Sequence, residues 1–462
     1  MAIVGAGFGG AAFAWQIKRR APHLKVVCLE RGGWVNRQAM PADTQRWQRA
    51  VQEEWATTPN QRLKAGKIPT GTADYPIDDS GSVFKPLMWN GVGGSTVNWA
   101  AHFPRLHPSD FRTRTLDGVG DDWPFDYFDL EPWYDLNDEI MGVAGLNGDP
   151  AYPPKSPRAM KPLAFGKVGN RAARALDALG WHWWPVDAAI NTVEHDGRGA
   201  CNHCGPCLIG CLPRAKSSTD LTYWPRALKL GVELRTHAIV QNIRIEAGQA
   251  KGVSYRDAEG RLCFQPASAV VVAGNGVGTA RLMLASGIDM PQLGRNLMYH
   301  PAAYIRGWFK DELDGPAGPV GCSIYCHEFY ETDEARGFKR GVHIQLSREN
   351  ALLLQAARME PPWGETAQRA LRAEFRHSIP ILVLVEDLPE AHNRVTITKE
   401  EAPDGLPGVK VNYKMSEHSQ KCIDFGLARI EDILREAGAD HLVTVSPAPV
   451  TGWHLLGTAR MG

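Results

Sequence analysis

The first thirty-three residues change their hydrophobic pattern three times. Ala2, Ile3 and Val4 form a short apolar run, Gly5 to Gly10 is a glycine-rich turn, an Ala-rich amphipathic stretch reaches Arg20, and a second apolar run covers Lys25 to Glu30. Short apolar runs bounded by glycine read as buried strands, and apolar residues at helical spacing as an amphipathic helix. The opening therefore predicts one strand–turn–helix–strand unit. Further along, Val168, Ala172, Leu176 and Leu179 share one helical face and Gly180 closes the pattern, which predicts a helix over 167–179. Helices are also predicted over 130–141, over 417–437 and near 365–376, and residues 34–75 read as helical and polar. Residues 232–272 alternate as a β-meander would, "ASAVVVAGNGVG" reads as an apolar strand running into another glycine turn, and strands are predicted at 379–385 and 394–397. Strands and helices alternating along the chain mark the α/β class.

At 462 residues the chain is longer than one hydrophobic core usually grows, so two domains are expected. Lys plus Arg and Asp plus Glu both number 51, which leaves no positive excess to bind nucleic acid or an anionic membrane surface. The longest apolar runs, such as 379–385, have the length of a buried strand rather than a membrane span. The chain thus reads as soluble and not as an integral membrane protein. No signal peptide is visible in "MAIVGAGFGG". Only Ala2 to Val4 precede the glycines, fewer residues than a buried strand usually has, so the compartment, cytoplasmic or periplasmic, stays open.

Gly5, Gly7 and Gly10 form GxGxxG directly after a strand and at the start of a helix, and Glu30 closes the next strand. In such a turn the first glycine permits the tight bend and the second lets the backbone approach a pyrophosphate. The third allows helix and strand to pack, and the helix N-terminus attracts the phosphates. An acidic residue at the position of Glu30 accepts from ribose hydroxyls. Strand, loop, helix and carboxylate together point to a dinucleotide, without separating NAD from FAD.

A second glycine cluster, "WNGVGGSTVNWAAHFPRLHPSDF", offers Ser95, Thr96 and Asn98 as hydrogen-bonding groups beside Trp99. In chain order, GxGxxG with Glu30 is followed by "GVGGSTVNW", "VVVAGNGVGTARLMLASG", "GRNLMYHP", "NRVTI" and "WHLLGTARMG". This series resembles the glucose-methanol-choline (GMC) family of FAD-dependent oxidoreductases over nearly the whole chain. The resemblance implies that Gly5, Gly7, Gly10 and Glu30 hold the adenine dinucleotide, and that Gly91, Gly93, Gly94, Ser95 and Asn98 run beside the flavin. It also implies that Val240 lies near the adenine, and that Gly274 and Gly278 return the chain to the phosphates. The fold it implies is a doubly wound, Rossmann-like FAD-binding domain, from 1–125, 200–300 and 445–462, with a second α+β substrate domain, from 126–199 and 301–444, built on a mixed or antiparallel sheet.

His454 matches the catalytic His of the family. Alcohol oxidation requires a base for the hydroxyl proton as hydride leaves the carbon, and imidazole titrates in a suitable range. The family continues beyond this motif with a second His or Asn and a covering helix. The sequence stops at Gly462 and is expected to end within its own site.

Cys201, Cys204, Cys207 and Cys211 fall in "CNHCGPCLIGC". Their spacing is similar to a bacterial ferredoxin run. Taken as Cys201, Cys207 and Cys211, it resembles the iron–sulfur segment of sugar dehydrogenases in the same family. Zinc, disulfides and structural thiols remain open, and "AKSSTDLTYWPRAL" looks similar to steroid-oxidising relatives that need no cluster. "DDWPFDYFDLEPWY" resembles the sugar and sugar-acid dehydrogenase branch. The expected function is FAD-dependent oxidation of a sugar or polyol CH–OH group, with electrons leaving to an acceptor such as a small subunit or cytochrome. An oxygen-using oxidase of a steroid or other hydrophobic alcohol, a non-catalytic flavin or iron–sulfur carrier, and a nicotinamide-dependent reductase are the alternatives.

Overall fold

The computed structural model describes residues 1–35, 76–348, 364–365, 376–448 and 451–461, apart from the single positions 206, 210, 316, 320 and 403. The helices predicted over 34–75 and near 365–376 fall largely outside them.

The opening unit folds as its pattern predicts. Ala2–Val4 pairs in parallel with Val27–Leu29 on one side and with Val270–Val272 on the other, and Glu233–Arg235 extends the sheet beyond Val27–Leu29. Ile3 sits between Cys28 and Val271 and is fully buried. A parallel sheet covered on both faces selects continuous apolar runs of this kind. The helix Phe8–Arg20 follows, burying Gly10, Ala11 and Ala14. Small residues on that face let the helix lie close to the sheet. At Gly10 the fit is absolute: a Cβ would stand 2.0 Å from the Gly5 carbonyl oxygen.

The region predicted as one meander divides between two sheets. Its ends, Glu233–Arg235 and Val270–Val272, join the parallel sheet, and only Ile239–Glu246, Gln249–Arg256 and Leu262–Pro266 form an antiparallel three-stranded ribbon. Val270, Val271 and Val272 do not alternate, which suits a strand covered on both faces rather than one face of a hairpin.

A six-stranded antiparallel sheet forms the second unit, in the order His441–Val445, Ala302–Trp308, Ser378–Val385, Val342–Ser347, Cys322–Cys326, Trp184–Pro185. Side chains alternate faces along each strand. Ala303, Ile305, Ile344, Leu346, Ile381 and Val383 point into a core shared with Val168, Ala172 and Leu176 of the helix Gly166–Leu179 and with Ile423, Ile430 and Leu434 of the helix Glu417–Glu436. The opposite face carries Tyr304, His343 and Gln345, and Tyr325 packs into a different core. The helix predicted over 130–141 begins earlier, as Tyr127–Met141, because Asp126 accepts from the Phe128 and Asp129 amides while Asp129 reaches back to the Asp126 amide. A third sheet, Arg394–Glu401, Pro407–Tyr413 and Ile77–Ser82, packs through Val395, Val409 and Val411 against Val277 and Ala280 of the helix Asn275–Ala285. Among the described residues no helix is long and apolar enough to cross a membrane.

Candidate active site

The two glycine clusters, about ninety residues apart in the sequence, lie backbone against backbone. The Gly93 amide donates to the Ala6 carbonyl at 3.0 Å, and a Cβ on Gly94, whose φ is +53°, would stand 2.7 Å from the Cα of Gly7. A glycine at 94 permits this approach. The segment 216–224 clamps the loop from behind. Trp224, fully buried, donates its indole N–H to the Ala6 carbonyl at 2.9 Å. Thr96 and Thr219 both donate to the Gly93 carbonyl, and the buried Lys216 ammonium donates to the carbonyls of Val97 and Trp99. "AKSSTDLTYW" therefore serves as the scaffold of the second glycine loop.

Between the loops lies a cleft of about 370 Å³. Gly5, Gly7, Gly94 and Ser95 line it, together with Glu30, Val240 and Gly274, as does Gly278. Gly10, Gly91 and Gly93 do not; they set the backbone behind the wall. The helix Phe8–Arg20 opens on this cleft with Gly7 as a residue that caps nothing through a side chain, so its first amides face an anion's natural position. Glu30 is buried, and its carboxylate already accepts from the Ala6 amide at 2.7 Å and the Gly32 amide at 2.9 Å. Burial raises its pKa, against the opposing pull of those amides and of Arg31. The floor is braced by Arg281, whose guanidinium grips both oxygens of the fully buried Asp404 at 2.8 Å. The side-chain amide nitrogen and oxygen of Asn98, which stands behind the lining residues, are both buried and have no partner among the described residues. An uncapped helix start, a cradle that side chains would fill and an orphaned amide are what a dinucleotide with a polar ring system would satisfy.

His454 is carried on a segment pinned from three directions. Gly452 accepts from the Leu87 amide, Thr458 donates to the Gly276 carbonyl, and Leu456 exchanges both backbone hydrogen bonds with Met298. Continuing that antiparallel register sets residue 300 opposite residue 454. The two imidazoles meet there, with Nδ1 of His300 2.7 Å from Nδ1 of His454. Trp453 and Leu455, on either side of His454, reach the cleft wall. Burial pushes the His454 pKa down to about 3, helped by His300 and His102, and burial brings His300 down to about 4. Both rings are therefore neutral at physiological pH. His300 closes the quoted motif "GRNLMYHP", yet nothing in the spacing singles it out; its role comes from a pairing across 154 residues.

The iron–sulfur set expected at Cys201, Cys207 and Cys211 is not assembled. Among the described residues no three His, Cys, Asp or Glu side chains gather as metal ligands, and none of the four cysteines is in a disulfide. Cys201 and Cys211 pack against the apolar core beside the parallel sheet, and burial raises the Cys201 and Cys204 thiols, Cys204 to about 11.

A parallel sheet whose first strand turns through glycines into an uncapped helix, and whose second strand ends on a buried carboxylate, defines a dinucleotide-binding oxidoreductase fold. Known proteins narrow the class. The family described as GMC oxidoreductase matches residues 171–302, and the NAD(P)-binding Rossmann-like domain matches residues 3–51. The 2-methyl-1,2-propanediol dehydrogenase of Mycolicibacterium austroafricanum is 36% identical over 482 aligned positions, which cover 100% of this chain and 85% of that protein. The fructose dehydrogenase large subunit of Gluconobacter japonicus is 26% identical, covering 100% of this chain and 87% of its own. The crystal structure of pyridoxine 4-oxidase from Mesorbium loti superposes with a TM-score of 0.66 at 15% identity, over 100% of this chain and 88% of the other. The chain belongs to the GMC oxidoreductase family: it is a flavin-dependent oxidoreductase of alcohols, and FAD is its cofactor.

Proposed function

We propose that this chain is a dehydrogenase of a polyol or sugar CH–OH group in which His454 is the general base. In this reading the glycines at 5, 7 and 10 receive the pyrophosphate and Glu30 the ribose. Val240 flanks the adenine, Gly274 returns the chain to the phosphates, and 91–98 runs beside the flavin, with Asn98 offering its unpartnered amide to the ring. Bound FAD would supply the hydride acceptor. Segments 1–125, 200–300 and 445–462 would form the FAD-binding domain, and 126–199 with 301–444 the substrate domain.

The observation that carries the base assignment is the 2.7 Å pair between His300 and His454. With the proton on Nδ1 of His454, His300 accepts it, and Nε2 of His454 is left as a bare lone pair. Nε2 of His300 is then a donor. One acceptor and one donor side by side suit a carbinol whose hydroxyl must lose its proton while its oxygen is held. Because burial keeps His454 neutral, the base is ready throughout the working pH range and holds its proton weakly. The diol and fructose dehydrogenases among the relatives support a polyhydroxylated substrate. Electrons would leave to a separate acceptor protein such as a small subunit or cytochrome.

The test is anaerobic mixing of the FAD-loaded chain with 1,2-diols, sugars and sterols in turn, followed by oxygen. Bleaching by a diol or sugar with slow reoxidation is expected. Bleaching by sterols alone, or rapid peroxide formation, overturns the reading in favour of an oxidase of hydrophobic alcohols.

A further inference from the structure

Four more histidines lie on the far side of the His300–His454 pair, and they form one line. His107 Nδ1 meets a Glu331 carboxylate oxygen at 3.0 Å, His107 Nε2 meets His327 Nδ1 at 3.2 Å, His327 Nε2 meets His343 Nδ1, and His343 Nε2 meets His102 Nε2 at 3.1 Å. The line ends at His102 Nδ1, which is buried and has no partner. His343 sits on the face of the six-stranded sheet opposite the core, and Tyr152, Tyr325 and Tyr330 wall in His107 and His327 at ring separations of 4.0–4.4 Å. At the other end the Glu331 side chain is 53% exposed.

The order of protons along this line follows from its outer end. Burial alone would raise the Glu331 carboxyl, but hydrogen bonds from His107 and Ser109, with the charge of Arg340, hold it below its ordinary value, so it is an anion that only accepts. His107 must then carry its proton on Nδ1 and present a bare Nε2. The same requirement passes to His327 and to His343, each protonated on Nδ1. His102, facing the bare Nε2 of His343, must be protonated on its own Nε2. Its Nδ1 is thereby a bare lone pair in the interior: a buried proton acceptor wired to the surface. The sheet register brings the line toward the pair: Leu384 is matched with His343 on one side and on the other with Ala302, two residues beyond His300.

The structure assigns His102, His343, His327, His107 and Glu331 as a proton relay that carries the proton of the oxidised alcohol from the His300–His454 pair to solvent. The assignment rests on the alcohol-oxidising reading of His454. In the balance, bound FAD would take the hydride of the carbinol carbon while the hydroxyl proton passes to His454. That proton moves to Nδ1 of His102, each ring then releases the proton on its other nitrogen to its neighbour, and Glu331 gives one proton to water. The passage leaves the rings in the opposite tautomers, and Glu331, then facing a bare nitrogen, favours the ring rotations that restore them. These five are relay residues that act through His454.

Glu331→Gln tests the exit, because glutamine still accepts from His107 but cannot take a proton, and the position is exposed enough to spare the fold. In the FAD-loaded chain with a saturating polyol and an artificial acceptor, kcat is expected to fall about tenfold or more with KM and flavin content unchanged, the solvent deuterium isotope effect to grow, and added formate to restore the rate. Unchanged kcat and isotope effect overturn the relay. As a readout independent of turnover, ¹⁵N-histidine NMR of the unsubstituted protein is expected to show Nδ1–H at 107, 327 and 343 and Nε2–H at 102; any other pattern overturns it. Failure of every alcohol to bleach the unsubstituted protein sinks the alcohol-oxidising reading and with it the relay's function. Bleaching by a polyol combined with the wrong tautomers sinks the relay alone.

Discussion

Replacing His102 with glutamine should flatten the dependence of stability on pH by an amount the structure sets. Burial depresses the His102 pKa to about 4, against the milder upward pull of Asp187. An unfolded histidine titrates near pH 6.5. The folded pKa is the lower one, so the unfolded chain binds the extra proton. The stabilising contribution is full above the unfolded value and is lost as pH falls toward the folded one. Between pH 7 and pH 5 one such imidazole removes about 2 kcal/mol, a large share of a typical folding free energy of about 5–15 kcal/mol. His300, His327, His343 and His454, also depressed by burial, act with the same sign. Glu386 and Asp387, raised by burial to about 7 and about 6, act with the opposite sign. All of these are shared by the two proteins, so the comparison of slopes isolates position 102. The assay is urea unfolding of the FAD-loaded chain at pH 7 and pH 5, followed by tryptophan fluorescence. His102→Gln should lose about 2 kcal/mol less than the unsubstituted protein on acidification. An identical loss in both would mean that His102 is not held neutral by burial, and the reasoning would fail.

Gly10→Ala places a Cβ against the Gly5 carbonyl oxygen and so pushes the helix Phe8–Arg20 off the sheet. Overpacking of this kind costs about 1–3 kcal/mol, and both the thermal midpoint and the affinity in an FAD titration should drop. Arg281→Met leaves the buried Asp404 with Arg31, at 3.2 Å, as its charged partner among the described residues. A loss of about 3–5 kcal/mol is expected by chemical denaturation, and most of it should return in the double variant that also carries Asp404→Leu.

The parts of the site legible in the sequence are those in which backbone geometry dictates residue type locally. Gly5 and Gly10 sit where a turn and a close approach exclude a side chain, Gly7 opens the helix between them, and Glu30 closes the adjacent strand, so their spacing along the chain already describes the cradle. Gly94 was legible for the same reason, although its partner, Gly7, was not. What the sequence withheld are pairings between distant segments. His300 and His454 meet because two strand-like segments run antiparallel. His102 and His107 share one loop, His327 follows the strand Cys322–Cys326 and His343 lies on Val342–Ser347, and only the outward register of His343 hints that it leaves the core. The cysteine run shows a related limit: spacing states what thiols could reach, while the packing of Cys201 and Cys211 against the core, and the burial that raises the Cys201 thiol, are set by the fold. The misassigned meander shows the limit of alternation as a signal, since Val270–Val272 has the strand's composition but the register of a sheet buried on both faces.

The central claim is that a flavin held between the glycine loops takes hydride from an alcohol whose proton goes to His454. Its most direct test is the anaerobic stopped-flow rate of flavin bleaching by a polyol in His454→Ala, loaded with FAD to the same content as the unsubstituted protein. The account predicts a rate lower by about 10²–10⁴ with flavin binding retained. An undiminished rate in that variant would contradict it.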